Sequence, residues 1–354
     1  MTSFDFTSSG CLGYRHGPGE LASWPRLTTG RPAILGDESG IGARLVAHVA
    51  RQTGRNEALL EVSTLHAFVD VWSVLGSGHT ALLVDAAAYP VGVMALRAST
   101  AVRSVETVAH FEVEYVARTV RRLPPGLRPV LLVDGLCPDC GRLAPLPGYL
   151  SVMGPRGGMV VVDDTQSLGL IGPGPRSDAP FGDGGGGAAA RQGVSEDAPL
   201  VVVASTAKAF GAPLAVVAGP AALIDEIRRA GPCQVHSSAP SAAAEAALQN
   251  AVTDAAGGAA RRRRLAGAAR LFRELIKVAG LETAHSRDWP MQIVLIPGRD
   301  VISAYIGLRR RGVRAVPVRR RCQPGTGLAF LLTADHPSSV IVSAVRLLEE
   351  VLAS

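Results

Sequence analysis

The hydrophobic positions of the chain fall into short apolar runs that alternate with longer amphipathic segments. Apolar runs that are rich in β-branched residues and bounded by Asp, Gly or Pro are typical of strands buried on both faces. Amphipathic segments of helical period, such as 65–75 and 112–123, separate most of them. This alternation predicts an α/β fold with a mostly parallel sheet covered by helices on both faces. The seven predicted strands are 58–62, 81–84, 102–105, 129–133, 159–162, 200–204 and 214–218.

The C-terminal part of the chain follows a different pattern, in which a long helical region, 242–275, is interrupted by Gly257 and Gly258. We place a domain boundary at this interruption, because consecutive glycines weaken a helix. Three units result: an N-terminal segment and loop (1–42), a large domain (43–256) and a small α/β domain (257–354). The small domain is predicted to contain strands at 292–296, 313–316 and 328–333 and helices at 301–311 and 338–352.

A low-complexity stretch rich in glycine and proline, 172–199, lies between the predicted strands 159–162 and 200–204. Its glycines lack the preceding strand and following helix of a phosphate-binding loop. We therefore predict a mobile surface insertion.

Composition places the chain among soluble globular proteins. With 354 residues, 47% hydrophobic and 19% charged, it is long enough for one large domain and a smaller one. No apolar run approaches the roughly 18 to 20 residues that span a bilayer, and residues 1–19 have neither a basic start nor an apolar core. We expect a cytoplasmic protein without a membrane partner.

The net charge of +6 comes mostly from arginine, with runs at 261–264 and 319–321. Such runs either bind anions, nucleic acid included, or form a solvated helix face. The second interpretation is the commoner one, and we expect no nucleic-acid partner.

The five cysteines do not suggest a disulfide framework, because the number is odd and no signal peptide is evident. Cys137 and Cys140 form an isolated C-P-D-C. Zinc would require a second pair of ligands near by. We therefore predict a turn between a strand and a helix, and no metal site.

Two of the predicted strands are followed by residues whose side chains, a carboxylate and an amine, can act together in catalysis. Asp163 directly follows the fifth strand, and Lys208 comes four residues after the sixth, among small residues. Lys208 is the only lysine between Met1 and Val216. Partial desolvation lowers the pKa of an ammonium group and makes the amine a nucleophile toward carbonyls. A pyridoxal phosphate (PLP) site requires such a lysine for a Schiff base and a carboxylate that keeps the pyridine nitrogen protonated.

The motifs around these two residues resemble a known family. VDDTQSLGLIG (162–172) is similar to the VDDAHxxGxxG of the α-oxoamine synthases, and STAKAFG (205–211) is similar to their T(L/F)(S/G)KAFG. These are fold-type I PLP enzymes of the aminotransferase class I/II superfamily, exemplified by 8-amino-7-oxononanoate synthase. The resemblance runs from Phe6 to the final helix. It implies a seven-stranded sheet plus a smaller C-terminal α/β domain, PLP as cofactor, and Lys208 and Asp163 as catalytic residues.

The resemblance also assigns two contacts with the cofactor ring. Gln166 stands where the family has a histidine that contacts the phenolic oxygen, and a glutamine amide can still donate a hydrogen bond there. Tyr89 stands where the family has a histidine that stacks on the ring. A tyrosine can stack equally well, although packing in the core after a strand is the alternative.

The cofactor phosphate is expected at a helix N-terminus, where free amides favour an anion. The candidate donors are the amides of Thr64 and Leu65 and the hydroxyls of Ser205 and Ser237. Ser237 lies in HSSAPSA, which resembles a family segment that reaches the phosphate of the other subunit. The resemblance therefore implies a homodimer.

The reaction is less well defined than the cofactor, because Gly327 and Ala329 replace two arginines of the family's penultimate strand, one of which holds the substrate carboxylate. An arginine of the run 319–321 could replace it, or the substrate could be an amine without a carboxylate. The resemblance implies condensation of an amino acid or amine with an acyl thioester (CoA or carrier protein), through a Lys208 aldimine and a quinonoid carbanion. Amino transfer in a specialised pathway and a homologue without catalysis are the alternatives.

One pattern belongs to another class of enzyme. Ser205 and Lys208 form S-x-x-K, the serine and lysine of penicillin-binding proteins. That motif should open a helix and be followed by S-D-N and K-T-G, and neither of these follows here.

Overall fold

The computed structural model describes residues 4–21, 23–24, 26–36, 41–76, 78–96, 104–296 and 300–353. The elements below are those of the described residues. The strands are β1 (Phe4–Asp5), β2 (Glu57–Glu61), β3 (Thr80–Asp85), β4 (Ser104–Val108), β5 (Arg128–Asp134), β6 (Met159–Asp163), β7 (Leu200–Ser205), β8 (Ala215–Gly219), β9 (Glu282–Thr283), β10 (Met291–Leu295), β11 (Val313–Arg314), β12 (Val316–Arg319) and β13 (Thr326–Leu331).

The helices connect and cover these strands. They are α1 (Ile41–Thr53), α2 (Thr64–Leu75), α3 (Pro90–Leu96), α4 (Val113–Arg122), α5 (Leu146–Met153), α6 (Gly187–Arg191), α7 (Ala221–Ala230), α8 (Pro232–His236), α9 (Ala242–Thr253), α10 (Ala255–Val278), α11 (Val301–Arg310) and α12 (Ser338–Ala353). Short 3-10 helices lie at Pro18–Glu20, Ala33–Leu35 and Gly154–Arg156. Among the described residues, no helix is both long and apolar enough to span a bilayer.

Seven strands form the central sheet in the order β2, β8, β7, β6, β5, β3, β4. Six of them run parallel, and β8 alone is antiparallel to its neighbours β2 and β7. The predicted mostly parallel sheet of seven strands is confirmed. Of the predicted strand 102–105, the first two residues lie outside the described ranges.

The continuous apolar runs reflect burial of both faces of this sheet. In β6, Val160 and Val162 face one hydrophobic cluster, whereas Val161 faces the other. Because successive side chains of a strand point to opposite faces, a strand covered on both sides needs apolar residues at every position.

A four-stranded antiparallel sheet, in the order β12, β13, β10, β9, follows α10. The predicted strand 313–316 is two strands, because its first half pairs with the N-terminal β1 and its second half pairs with β13. The division of the chain at residue 257 stays a prediction.

The predicted helix break at Gly257 and Gly258 is wrong in position. The break lies at Asp254, whose side chain accepts a hydrogen bond from the Gly257 amide at 2.9 Å and caps α10. The two glycines lie in the first turn, where four amides lack intrahelical partners. There the hydrogen bond of the N-cap stabilises the helix more than the low helix propensity of glycine destabilises it.

The predicted mobile surface insertion at 172–199 is packed against the fold in its middle part, whereas residues 173–178 are exposed. Phe181 is buried and stacks on Trp289 with ring centroids 5.8 Å apart, and Ala188 and Ala189 are fully buried. Glycine allows this close packing: a Cβ on Gly187, at φ +88°, would lie 1.8 Å from Asp164 Oδ2. Close packing therefore accounts for part of the glycine-rich composition, whereas Gly184 and Gly193 have no neighbour within 4 Å of the Cβ position.

The arginine run 261–264 is only partly the solvated face that we predicted. Arg261 donates to the carbonyls of Leu12 and Gly13 at 3.0 and 3.1 Å, and its guanidinium lies 4.4 Å from the Tyr14 ring centroid. These contacts attach α10 to the N-terminal segment, so Arg261 stabilises the fold and is not simply a solvated charge.

Candidate active site

The carboxyl ends of four neighbouring strands meet at one edge of the central sheet. Asp85, Asp134, Asp163 and Ser205 are the last residues of β3, β5, β6 and β7. In an open parallel sheet, this edge is where ligands bind. A cavity of about 180 Å³ lies there and is lined by Thr64, Tyr89, Val91, Asp134, Asp163, Thr165, Gln166, Ser205, Lys208 and Arg321.

Lys208 lies in a turn after β7. The Cys11 amide donates to the Lys208 carbonyl at 3.1 Å, which fixes the turn against the N-terminal segment. Burial lowers the pKa of Lys208, while the carboxylates of Asp163 and Asp134 act in the opposite direction. Lys208 is thus closer to the neutral, nucleophilic form than an exposed lysine. Because this segment is a turn and no helix opens at Ser205, the S-x-x-K interpretation loses its required context.

Asp163 lies on the floor of the same cavity and is only 6% exposed. Burial raises its pKa, whereas hydrogen bonds from Thr165 and the positive charges of Lys208 and Arg321 lower it. The Thr165 amide donates to Asp163 Oδ1 at 3.1 Å. A buried carboxylate of this kind is stabilised by a cation in the cavity.

Tyr89 lies at the side of the cavity between two cations. The Lys208 Nζ atom is 5.7 Å from the centroid of its ring, and the Arg321 Cζ atom is 5.1 Å from it. Half of the tyrosine is exposed, so packing in the core, the alternative considered from sequence, does not describe it.

Sequence reasoning missed Asp134, which is buried at the end of β5. It accepts a hydrogen bond from the Tyr89 amide at 2.9 Å, and its Oδ2 atom lies 3.5 Å from the Arg321 guanidinium. Burial and the neighbouring Asp163 raise its pKa to about 7. The signal was available, because Asp134 follows an apolar strand just as Asp163 does.

The N-terminus of α2 faces the cavity through Thr64. Ser63 caps this helix by accepting from the His66 amide at 3.5 Å, and Leu65 is the second helical residue, with a 42% exposed side chain. Ser205 lines the cavity, whereas Ser237, at the C-terminal end of α8, does not line the cavity of its own chain. Of the predicted phosphate contacts, the structure therefore brings Thr64 and Ser205 to the cavity.

The two positions where the family has arginines lie in β13. A Cβ on Gly327 would lie 2.5 Å from Ile293 Cγ2, so this position has no room for a side chain, and Ala329 is fully buried. Of the three arginines in the run 319–321, Arg321 lines the cavity. Arg319 is exposed at the end of β12.

The geometry agrees with comparisons to known proteins. The family described as aminotransferase class I and II matches residues 52–318, more than half of the chain. An 8-amino-7-oxononanoate synthase from Halorhodospira halophila is 33% identical over 231 residues, which cover 64% of this chain and 54% of the relative. The chain spans between 54% and 60% of the first two curated relatives that it matches.

Solved structures share the fold at low sequence identity. Serine palmitoyltransferase from S. paucimobilis, with a bound PLP-myriocin aldimine, superposes with a TM-score of 0.85 at 17% identity and covers 99% of this chain and 87% of its own. An 8-amino-7-oxononanoate synthase from Francisella tularensis gives a TM-score of 0.75 at 18% identity, with 98% and 97% covered. The resemblance inferred from the motifs is confirmed, and the chain belongs to the aminotransferase class I and II family.

Proposed function

We propose that this chain is a PLP-dependent enzyme that acts at the Cα atom of an amino acid or amine. The observation that carries the proposal is one cavity lined by a lysine of lowered pKa, a buried strand-end carboxylate and the N-terminus of a helix. These groups fit PLP: an amine for its aldehyde, an anion for its pyridinium nitrogen and amides for its phosphate. When bound, PLP supplies an electron-withdrawing ring.

Lys208 and Asp163 have separate tasks in this proposal. The Lys208 amine would hold the cofactor and would move the proton at the substrate Cα atom. Its partial desolvation suits this role, because a general base works best with a pKa near the operating pH. Asp163 would keep the pyridine nitrogen of the bound cofactor protonated, and Gln166 and Tyr89, which line the same cavity, would contact its ring.

Arg321 is the group that we assign to the substrate carboxylate. It lies within the cavity beside Tyr89, and Gly327 leaves no space for the arginine that the family has in β13. Guanidinium groups bind carboxylates in a bidentate manner, with the strength of charge-assisted hydrogen bonds. An amino acid therefore remains an acceptable substrate although the usual position has lost its arginine.

An acyl thioester is the proposed second substrate. Lys208, Thr165 and Gln166 also line a second, mostly apolar cavity of about 70 Å³, which includes Leu168 and Leu332. An apolar space next to the reacting lysine suits an acyl group. We therefore favour condensation, as in the α-oxoamine synthases, over amino transfer.

We also propose a homodimer, on the basis of Ser237. Its segment resembles one that binds the phosphate of a partner subunit, and Ser237 does not line the cavity of its own chain. A second subunit is the simplest source of this hydroxyl.

The first test is covalent attachment of the cofactor. The chain has two lysines, Lys208 and Lys277. Purified protein incubated with PLP should gain visible absorbance, and borohydride reduction followed by peptide mapping should place the label on Lys208. Lys208→Ala should abolish the label, whereas Lys277→Ala, on the exposed end of α10, should retain it. A colourless wild-type protein, or a label on Lys277, would disprove the proposal.

A second test separates the two reactions. Loaded enzyme given an amino acid and acyl thioesters should release free thiol with the amino acid consumed. Conversion of the cofactor to its amine form by an amino donor, with no thiol release from any acyl-CoA or acyl carrier protein, would support amino transfer instead.

A further inference from the structure

Four potential metal ligands lie together a short distance along the sheet edge from the proposed PLP cavity. Cys137 and Cys140 belong to the turn after β5, His110 follows β4, and Cys322 follows β12. Their sulfur and nitrogen ligand atoms all lie within 4.8 Å of one another. The sequence-based prediction of a turn at C-P-D-C is confirmed, but His110 and Cys322 supply the second pair of ligands that this prediction found missing.

The spacing of these atoms is close to that of a zinc site. In a tetrahedral site with Zn–S near 2.3 Å and Zn–N near 2.0 Å, the ligand atoms lie roughly 3.5 to 3.8 Å apart. The His110 Nε2 atom is 3.5 Å from Cys140 Sγ. The 4.8 Å limit exceeds these spacings by about 1 Å, so no pair of ligand atoms needs to approach by more than that to bind one ion. Three thiolates and one imidazole are a known donor set for structural zinc.

His110 is held in the orientation that a ligand requires. Its Nδ1 atom lies 2.7 Å from Asp85 Oδ1, so the Nδ1 proton is directed to the carboxylate and the Nε2 lone pair faces the cysteines. The other oxygen of Asp85 accepts from the Phe111 amide at 3.0 Å, with Phe111 at φ +56°. Left-handed backbone at a bulky residue is rare and clusters at functional sites. Carboxylates behind a ligating histidine are typical of zinc sites.

The cysteines are positioned by a second carboxylate. Asp139, between Cys137 and Cys140 and only 5% exposed, accepts hydrogen bonds from the amides of Arg321 and Cys322, the latter at 3.3 Å. This contact joins the turn after β5 directly to the loop that carries the third cysteine. The turn is also closed by a hydrogen bond from the Gly141 amide to the Cys137 carbonyl at 2.9 Å.

We propose that Cys137, Cys140, Cys322 and His110 bind one Zn²⁺ ion, with Asp85 and Asp139 as positioning residues. Binding displaces the three thiol protons to solvent and involves no redox step. All four ligand positions are filled by protein, so the ion is structural. It fixes Cys322 and hence Arg321, the residue directly before it in the chain, at the edge of the PLP cavity. The zinc site itself does not depend on the proposed function, whereas its effect on Arg321 does.

Metal analysis of the purified chain tests the site. Wild-type protein prepared without chelators should contain about one zinc ion per chain by elemental mass spectrometry. The Lys208→Ala variant should contain the same amount. Cys322→Ser should lose most of this zinc, whereas Cys233→Ser, at a free cysteine in α8, should keep it. Asp85→Asn should weaken zinc binding about 10- to 100-fold in a chelator competition.

Cobalt substitution provides a test that needs no variant. Wild-type protein stripped of metal and given Co²⁺ should show thiolate-to-cobalt charge transfer and the strong visible bands of a four-coordinate ion. Absence of both zinc and Co²⁺ uptake would overturn the proposal, as would iron in place of zinc. A disulfide between Cys137 and Cys140 in freshly purified, unreduced protein would also overturn it.

The effect on Arg321 has a separate readout. Removing zinc from PLP-loaded enzyme should weaken binding of an amino acid but leave binding of the matching amine, which lacks the carboxylate, unchanged. Equal weakening of amino acid and amine binding would contradict the proposed effect of zinc on Arg321. The existence of the zinc site would then be decided by the metal analysis. Failure of PLP to bind at all would count against the proposed function alone.

Discussion

At the residue scale, the proposed role of Arg321, which would bind the substrate carboxylate in place of the arginine that the family has at the position of Gly327, has a measurable consequence. Arg321→Ala removes a charge-assisted contact worth on the order of 1.5 to 3 kcal/mol. We expect amino acid binding to weaken about 10- to 150-fold. The measurement is a titration of PLP-loaded enzyme with amino acids, followed by the cofactor spectrum.

Arg319→Ala is the matched control for this prediction, because Arg319 belongs to the same run but is exposed at the end of β12. It should bind amino acids like wild type. The amine that corresponds to the amino acid without its carboxylate should bind wild type and Arg321→Ala equally. Equal loss for both ligands would show that Arg321 supports the cavity rather than the carboxylate.

Because Glu61 is buried, we expect the free energy of unfolding to depend on pH. Glu61 is 3% exposed at the end of β2 and accepts from Gln234 Nε2 at 2.7 Å. Burial, together with the nearby Asp70, raises its pKa from 4.5 to about 8. Between these values the unfolded chain has lost the proton and the folded chain retains it, so stability falls as pH rises, by up to about 1.4 kcal/mol per pH unit.

Glu61→Gln should remove this dependence, because an amide keeps the hydrogen bonds of a protonated carboxyl and does not ionise. Chemical denaturation from pH 5 to 9 should give a flatter curve than wild type, with a gain in stability at pH 8. Glu57→Gln, at the exposed start of the same strand, should follow wild type. Parallel curves for all three proteins would contradict the assignment.

At the scale of elements, α10 shows why local propensity placed a helix break wrongly. A Cβ on Gly257 would lie 2.1 Å from Asp254 Oδ2, so alanine there would displace the cap. Gly267, exposed in the middle of the same helix, has no neighbour within 4 Å of its Cβ position. Gly267→Ala should therefore gain up to about 1 kcal/mol of stability, and Gly257→Ala should gain about 1 kcal/mol less because it loses the cap.

Denaturant unfolding of the two variants checks this difference, and Asp254→Ala serves as the control. In the Asp254→Ala background, which has no cap to lose, Gly257→Ala should no longer be penalised. An equal gain from Gly257→Ala and Gly267→Ala in the wild-type background would mean that the cap contributes little.

The strands could be predicted because a strand that is buried on both faces needs an apolar residue at every position. Val160, Val161 and Val162 are apolar on both faces, and this pattern does not depend on distant residues. The segment 172–199 was not predictable in the same way. Its composition is typical of a loop, but several of its glycines allow close approach to Asp164 and to other backbone atoms, which only the three-dimensional packing reveals.

At the scale of the whole molecule, the residues of the candidate sites also fall into those that the sequence predicts and those that only the structure identifies. Lys208 and Asp163 could be predicted because each lies in a motif adjacent to its strand. The sequence indicated the run 319–321 but could not single out Arg321 within it, and it gave no role to Cys322, because both residues follow β12 and reach the sheet edge through the topology of the chain. Spacing along the sequence contains no signal for ligands more than 180 residues apart.

The proposed dimer leads to a test in which two inactive chains restore a site. If Ser237 serves the cavity of the partner, Lys208→Ala and Ser237→Asp remove different halves of each site. A mixed dimer then contains one cavity with an intact lysine and an intact serine, and one with neither. Random exchange should restore roughly a quarter of the wild-type sites, since half of the dimers are mixed and each has one intact cavity.

The measurement is borohydride-trapped PLP or activity, in co-expressed chains with different tags and in each chain alone. If Ser237 served its own chain, both cavities of the mixed dimer would lack one group, and mixing would restore nothing. Ser238→Asp, at the exposed neighbouring position, should be active alone, which separates a specific contact from damage to the segment. Restoration therefore requires both that the chain is a dimer and that Ser237 crosses to the partner, because neither condition alone produces an intact cavity.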